Sequence, residues 1–330
     1  MRTLISFVIP CYGSEFTIED VVEELITEVN SRRDSYDYEI ILVNDCSPDN
    51  VWEVIKRLAA KNSHISGISL ARNFGQHAAL MAGYSKCNGD IVFSLDDDGQ
   101  APIEAVYLLI DKLNEGYDVV FGKNKEIKQS KFRIMGSYIN KRMTEILLDK
   151  PKDIGVSSFG VSRRFVIEEI LKYNNPYPYV GGLLFRTTRN MMDVEINQRE
   201  RQRGKSGYNL KKLIRLWLNG FTAFSEKPLR IATFLGIICA ALGFGYGLYV
   251  VIRKLIYPQM PMGYSSVMAA ILFIGGMIML LLGMIGEYIG RIYISINNAP
   301  QYVIRETTKG EKERSMGIKS EKGDENTLEG

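Results

Sequence analysis

The chain has 330 residues, a formal net charge of +3, four cysteines and two histidines. A charge so close to neutral gives no reason to expect a nucleic-acid partner, and the length accommodates one large domain with an accessory segment. The cysteines form no C-x-x-C pair, which argues against a disulfide framework and a zinc site, and two histidines are too few for a histidine-rich metal site.

Short aliphatic runs alternate with helical patterns over residues 1–125. The runs predict strands at residues 4–9, 39–43, 65–70, 91–95 and 119–121. The patterns between them predict helices at residues 17–31, 50–61, 76–86 and 103–114. This alternation is typical of a mostly parallel α/β sheet covered by helices on both faces, and the ligand of such a sheet lies beyond the carboxyl ends of its strands.

Polar side chains collect at these predicted strand ends. Tyr12 follows the first strand and is placed to stack on a base, while Asp45 follows the second and suits hydrogen bonding to a uracil or ribose. Arg72 follows the third strand and would pair with phosphate or orient carboxylates. Each residue taken alone is also explained by an ordinary turn or a solvated loop. No G-x-G-x-x-G or G-x-x-x-x-G-K-[ST] motif is present, which disfavours a Rossmann dinucleotide site and a P-loop.

Three consecutive carboxylates, Asp96, Asp97 and Asp98, follow the fourth strand. Like charges repel and raise one another's pKa, so the triplet is costly unless a cation binds there. Asp96 and Asp98 lie two residues apart and share one face of an extended strand end, which suits Mg²⁺ or Mn²⁺ shared with a phosphate-bearing substrate. We expect Asp97, on the other face, to tolerate replacement best. The alternative is an acidic turn or helix cap.

The C-terminal third contains two uncharged stretches, residues 231–252 and 255–286. Roughly 20 residues cross a bilayer core, so we predict transmembrane helices at about 231–252 and 264–286. Basic residues flank the pair, and the positive-inside rule places both chain ends in the cytoplasm. We predict amphipathic interfacial helices at 209–230, with a core-packed amphipathic helix as the alternative, and a cytoplasmic tail at 291–330 that is largely disordered from about 305.

Three strand-end motifs read V-I-P-C-Y-G at residues 8–13, V-N-D-C-S-P-D at 43–49 and D-D-D-G-Q at 96–100. Together they resemble the motifs of family 2 glycosyltransferases of GT-A fold. The stretch R-N-F-G-Q-H at 72–77 and the G-E-Y-I-G-R-I-Y at 286–293 resemble the branch that uses polyprenyl phosphates. That branch includes bactoprenol glucosyltransferases, undecaprenyl-phosphate aminoarabinose transferases and dolichyl-phosphate mannose synthases.

The resemblance implies an inverting transfer from a nucleotide sugar, a UDP-sugar, to undecaprenyl phosphate at the bacterial inner membrane, by a cytoplasmic catalytic domain spanning residues 1–208. It implies Mg²⁺ or Mn²⁺ as cofactor. The catalytic candidates are Asp96, Asp98, Gln100, Arg72 and Asp153. The nucleotide-binding candidates are Pro10, Tyr12, Glu15, Asp45, Asp96, Arg201, Lys205, Ser206 and Tyr208. We expect Lys123, Lys131 or Arg133 to meet the acceptor phosphate. Glycines and aromatic residues in the spans permit a homo-oligomer.

Three positions depart from the family pattern. Asn44 stands where an aspartate is usual, Gly207 stands where a lysine is common, and Ser158 lies in the region where many relatives carry the acidic residue of a D-F-R motif. Asp153 is then the substitute for a catalytic base. A lipid phosphate needs no strong base, however, because its second pKa is about 6 and its oxygen is already largely anionic at neutral pH.

Three other functions fit parts of the sequence. A processive polysaccharide synthase shares the fold but normally carries Q-x-x-R-W, which is absent here. A sugar nucleotidyltransferase would share a nucleotide-binding sheet but has no need of a membrane hairpin. A non-catalytic membrane scaffold with a degenerate transferase domain is consistent with Asn44 and Ser158. The sequence names neither the sugar nor the lipid length.

Overall fold

The computed structural model describes residues 2–124, 154–155, 157–197, 199, 227–257, 263–297 and 299–308. The chain forms two compact units: Met1–Gly207 together with Ala299–Gly330, and Tyr208–Asn298. The strands of the first unit are β1 (Thr3–Cys11), β2 (Tyr36–Asn44), β3 (Ile65–Leu70), β4 (Ile91–Ser94), β5 (Val119–Asn124), β6 (Gly160–Arg163), β7 (Met191–Ile196) and β8 (Ile304–Thr307).

Helices connect most of these strands. They are α1 (Ile18–Asn30), α2 (Val51–Lys61), α3 (Gln76–Tyr84), a 3₁₀ turn (Ile103–Ala105), α4 (Val106–Asn114), α5 (Arg164–Leu171) and α6 (Val180–Thr187). The second unit contains α7 (Lys227–Ile256) and α8 (Tyr264–Ile296).

One sheet has the order β7-β5-β6-β4-β1-β2-β3-β8. Strand β1 pairs in parallel with both β2 and β4, while β6 and β8 are antiparallel to their neighbours. The predicted mostly parallel sheet flanked by helices is confirmed. Because the chain proceeds from β1 to β3 on one side and then returns to β4 on the other, the carboxyl ends of β1 and β4 form a topological switch point, where open α/β sheets bind ligands.

Helices cover both faces of β1: α1, α2 and α4 lie on one face, and α3 lies on the other. Ile5, Phe7 and Ile9 are fully buried in the cluster that includes α1, α2 and α4. On the opposite face, every residue of α3 from Ala78 to Tyr84 is buried. A Cβ at Gly83 would lie 2.3 Å from Cγ1 of Val8, so α3 approaches the sheet closely only because this position has no side chain.

The C-terminal tail differs from its prediction over residues 304–307. We expected disorder from about residue 305, but strand β8 pairs with β3 at the edge of the sheet. A charged segment of four residues carries too little hydrophobic pattern to predict a strand; β8 is stabilised by the edge of β3, which a distant segment supplies.

The second unit is a pair of long helices of 30 and 33 residues. Within the described part of the chain, one segment, Phe273–Gly290, is long and apolar enough to cross a membrane, and a shorter apolar helix covers Gly236–Tyr249. The predicted spans at 231–252 and 264–286 fall inside α7 and α8. Of the predicted interfacial segment 209–230, the structure describes only the residues from Lys227 onward.

The close approach of α3 to β1 gives a direct stability test. We predict that Gly83→Ala lowers the melting temperature, because overpacking of this kind costs about 1–3 kcal/mol. Adding Val8→Ala removes the side chain that the new Cβ would meet, so the double variant should be more stable than the sum of the single effects implies. Additive losses in thermal unfolding would show that this contact is not what limits the packing.

Candidate functional site

Asp97 connects the loop after β4 to the loop after β1. Its Oδ2 accepts the backbone N–H of Tyr12 at 2.9 Å, and its carbonyl oxygen accepts the hydroxyl of Thr17 at 2.7 Å. Burial, assisted by the neighbouring charge of Asp96, raises the pKa of Asp97 to about 6, although the nearby Ser14 hydroxyl and the hydrogen bond from Tyr12 oppose the rise. Asp97 therefore positions the first loop, and we now expect it to tolerate replacement poorly, opposite to the expectation from the sequence.

Asp96 is held from two sides. Its Oδ1 accepts the side-chain amide of Gln76 at 2.7 Å, and its Oδ2 accepts the hydroxyl of Ser158. Gln76 is the first residue of α3, and Ser158 comes just before β6, so two separate elements orient one carboxylate. A carboxylate oxygen carries two lone pairs, so accepting one hydrogen bond does not by itself prevent it from binding a cation. Neither Gln76 nor Ser158 was among the predicted site residues.

Asp98 and Gln100 connect the loop after β4 to Arg199, which follows β7 in the chain. Asp98 Oδ1 accepts the backbone N–H of Gln100 at 3.1 Å, and the carbonyl of Gln100 accepts the backbone N–H of Arg199 at 3.0 Å. The guanidinium of Arg199 pairs with Glu24 and Glu104, so its charge is already compensated. Arg199 therefore anchors the chain beside Gln100, two residues before the predicted nucleotide-binding residue Arg201.

Asp45 organises the loop that follows β3. It is 3% exposed, and its two oxygens accept the backbone N–H groups of Phe74 and Gly75 at 2.7 and 2.8 Å. Burial raises the pKa of Asp45, and these two N–H groups partly oppose the rise. The guanidinium of Arg72 in the same loop lies 4.6 Å from the ring centroid of Phe74. Its predicted contact with phosphate, like the base or ribose contact of Asp45, stays a prediction.

The loops after β1 and β2 are joined by side-chain bonds. Glu15 donates its backbone N–H to Asp49 at 2.9 Å and accepts the backbone N–H of Asn50 at 3.2 Å. The side chain of Tyr12 is 55% exposed, as a stacking platform requires, whereas Pro10 is buried within β1 opposite Val43. Glu15 therefore shapes the loop, and direct nucleotide contacts by Glu15 and Pro10 stay predictions.

The departure at Asn44 has a structural reason. This buried amide donates to the hydroxyl of Ser69 at 3.1 Å and accepts the backbone N–H of Ser47 at 2.9 Å. An ionised aspartate could only accept from the Ser69 hydroxyl and would add a buried charge near Asp45. Asn44 therefore supports the loop after β2 and does not by itself indicate a lost activity.

A cleft of about 200 Å³ opens beside the carboxylates. Its lining includes Asp96, Asp98 and Ser158, together with Lys123 and Asn124 at the end of β5. A cleft lined by one cationic side chain and two carboxylates is suited to a ligand that carries both a metal-bound phosphate and a second negative group. Of the three predicted acceptor-phosphate residues, the structure thus brings Lys123 to the site.

Several predicted site residues lie outside the described residues. They are Asp153, Lys131, Arg133, Arg201, Lys205, Ser206 and Tyr208.

The carboxylates of the site fit a metal ion that is bound partly by the substrate better than one bound by protein ligands alone. Among the described residues, no group of three or more His, Cys, Asp or Glu side chains is arranged to hold a metal ion. Mg²⁺ commonly binds through one or two carboxylates and completes its shell with water and substrate phosphates. Asp96 and Asp98 supply the two carboxylates, so the residues fit a metal that binds together with a diphosphate.

The raised pKa of Asp97 predicts a pH effect on stability. A carboxyl whose pKa rises from 3.8 to about 6 on folding stabilises the protein when protonated, and that contribution is lost as the pH rises from about 4 to about 6. We predict that Asp97→Asn, which keeps an acceptor for Tyr12, flattens this fall, whereas Asp97→Ala destabilises at every pH. Thermal unfolding without divalent cations measures it, with Asp34→Asn at an exposed turn as control. An unchanged slope in Asp97→Asn would contradict the assignment.

Comparison with known proteins identifies the family. Residues 6–171 match glycosyl transferase family 2, and residues 227–292 match the GtrB C-terminal hairpin. The SfII prophage-derived bactoprenol glucosyl transferase of Shigella flexneri is 34% identical over 309 residues, covering 93% of this chain and 99% of the relative. The undecaprenyl-phosphate 4-deoxy-4-formamido-L-arabinose transferase of Klebsiella pneumoniae (strain 342) is 31% identical over 320 residues, covering 94% and 97%.

Among solved structures, glucosyl-3-phosphoglycerate synthase from Mycobacterium tuberculosis in complex with Mn²⁺ and UDP-Glc aligns with a TM-score of 0.49 and 20% identity, over 67% of this chain and 77% of that chain. The resemblance that the strand-end motifs indicated is confirmed, as is the GT-A sheet followed by a C-terminal hairpin. The chain belongs to glycosyl transferase family 2.

Proposed function

We propose that this protein transfers a sugar from a nucleotide diphosphate sugar, most suitably a UDP-sugar, to a polyprenyl phosphate, with inversion at the anomeric carbon. The observation that carries the proposal is the cleft at the carboxyl ends of β4 and β5, which Asp96, Asp98 and Lys123 line together. One cleft then offers a carboxylate pair for a metal-bound diphosphate and a cation for an incoming phosphate.

Donor binding is assigned to the loops at the carboxyl ends of β1 to β4. Asp96 and Asp98 would hold Mg²⁺ or Mn²⁺, which when bound neutralises charge on the departing diphosphate. Gln76 and Ser158 keep Asp96 in one orientation. We propose that Tyr12 stacks on the base and that Arg201, with Lys205, Ser206 and Tyr208, closes over the diphosphate from the segment that follows Arg199.

The acceptor is assigned from chemistry and from relatives. The Shigella flexneri relative is named for bactoprenol and the Klebsiella pneumoniae relative for undecaprenyl phosphate. Ser158 donates to Asp96 and is no base, so the site suits an acceptor that arrives already anionic. A phosphate monoester has a second pKa of about 6 and meets that requirement at neutral pH. Lys123 would pair with it, joined by Lys131 or Arg133.

The reaction is then a single displacement. A phosphate oxygen of the lipid donates an electron pair to the anomeric carbon, and the bond from that carbon to the nucleotide diphosphate breaks, with its electron pair leaving on the diphosphate. No protein group needs to take a proton. The residues contribute by positioning both substrates and by stabilising the departing charge; neither Asp153 nor another base is required.

The hairpin is assigned to the membrane. We propose that α7 and α8 both cross it, with residues 1–208 and the segment after residue 290 in the cytoplasm, as the flanking basic residues predict. Residues 209–230 would lie in the interface, which brings the catalytic unit to the depth of a lipid phosphate.

We predict that Asp98→Asn lowers transfer from a UDP-sugar to polyprenyl phosphate at least about 100-fold, a loss typical of removing one preorganised charge-stabilising group. The effect should persist across Mg²⁺ and Mn²⁺ concentrations, because an amide is a poor ligand for either ion. Asp111→Asn, which breaks a half-exposed ion pair with Arg32, is the matched control and should retain activity. Full activity of Asp98→Asn at any metal concentration would refute the metal site.

A further inference from the structure

A segment that follows the hairpin in sequence contacts the catalytic sheet at the site edge. We call residues 299–308 the strap. Its strand β8 is antiparallel to β3, and the carbonyl of Val303 accepts the backbone N–H of Ala71 at 2.9 Å. The hydroxyl of buried Thr308 accepts the backbone N–H of Gly67 at 2.9 Å. Ala71 immediately precedes Arg72, so the strap holds β3 where the site loop leaves the sheet.

The other end of the strap binds a second loop. The side-chain amide of Gln301 donates to the carbonyls of Tyr173 and Asn175, both at 3.0 Å. The same loop carries Tyr179, whose ring meets His77 edge to face at 5.1 Å between centroids. His77 follows Gln76 in α3, and Gln76 holds Asp96 at 2.7 Å. The attachments at Val303 and Gln301 therefore lead to the segment 71–77, and the attachment at Thr308 holds β8 on the preceding part of β3, at Gly67.

The fit of the strap against β3 is close. A Cβ at Gly67 would lie 3.0 Å from Cγ2 of Thr308 and 2.4 Å from Cγ2 of Ile55. The absence of a side chain at residue 67 allows the buried end of the strap to pack directly on β3. The contact therefore requires a glycine at this position of the strand.

We propose that the strap is a positioning element for the donor site, which fixes the segment 71–77 and through Gln76 the orientation of Asp96. The proposal rests on the proposed function for its kinetic consequence. Two segments bond to the loops of the site: Arg199, which precedes the hairpin in the sequence and bonds Gln100, and the strap, which follows the hairpin. Loss of a strap contact loosens donor binding first, because its partners lead to Asp96 and not to Lys123.

The test compares Thr308→Val, which keeps the shape of Thr308 but lacks the acceptor, with Thr308→Ser, which restores it, and with Gln301→Ala. Arg305→Ala, at an exposed position of β8, is the control. We expect Thr308→Val to weaken Mn²⁺-dependent UDP binding about tenfold, because a buried N–H loses its acceptor, and Gln301→Ala, whose bonds are more exposed, to weaken it by up to about tenfold. They should raise the KM for the UDP-sugar with little change in the KM for polyprenyl phosphate. Thr308→Ser and Arg305→Ala should stay within about twofold of the parent.

Amide hydrogen exchange separates this proposal from the proposed function. The backbone amides of residues 71–77 should exchange faster in Thr308→Val and Gln301→Ala, with thermal unfolding showing that the unit remains folded. Faster exchange confined to the strap, or equal losses for both substrates, would overturn the positioning role. If the parent protein binds no UDP, the proposed function fails. The exchange rates of residues 71–77 in the strap variants still show whether the strap positions this segment.

Discussion

The site depends on how three adjacent carboxylates are held apart at the end of one strand. Asp96 is fixed by Gln76 and Ser158, Asp97 accepts the backbone of Tyr12, and Asp98 accepts the backbone of Gln100. Each bond directs a charge to a different place, which lowers the cost of crowding them. The middle carboxylate becomes structural, and the outer two line the cleft. The division of roles within the triplet follows from these partners.

The surrounding loops are built on the same principle, since buried polar side chains hold backbone N–H groups. Asp45 holds the loop after β3, and Asn44 holds the loop after β2. Such bonds restrict the conformation of loops that contain little secondary structure of their own. The loops at the carboxyl ends of the strands can therefore be preorganised for binding. Ser158 fits this scheme, because a second carboxylate at that position would repel Asp96 where a hydroxyl donates to it.

The strands and helices of residues 1–125 could be predicted because their hydrophobic periodicity is local. Strands β6, β7 and β8 were not predicted from the sequence; each of them pairs with a strand far away in the chain. The same distance hid the partners of the site: Ser158 and Asp96 are 62 residues apart, and Tyr12 and Asp97 are 85. The sequence indicated Asp96 and Asp98 from their spacing, but alternation along a strand said nothing of the loop that Asp97 holds.

The central claim is that the acceptor is a lipid phosphate. Such an acceptor accounts for Lys123 in the cleft, for the Ser158 hydroxyl where a base would otherwise be expected, and for the apolar hairpin. The most direct measurement is to incubate the full-length protein with UDP-sugars, Mg²⁺ or Mn²⁺ and undecaprenyl phosphate, and to determine the mass of the lipid product. The account predicts a lipid that has gained one sugar through its phosphate, with UDP released. A polymer of many sugars, or no transfer to the lipid while the protein binds UDP, would contradict it.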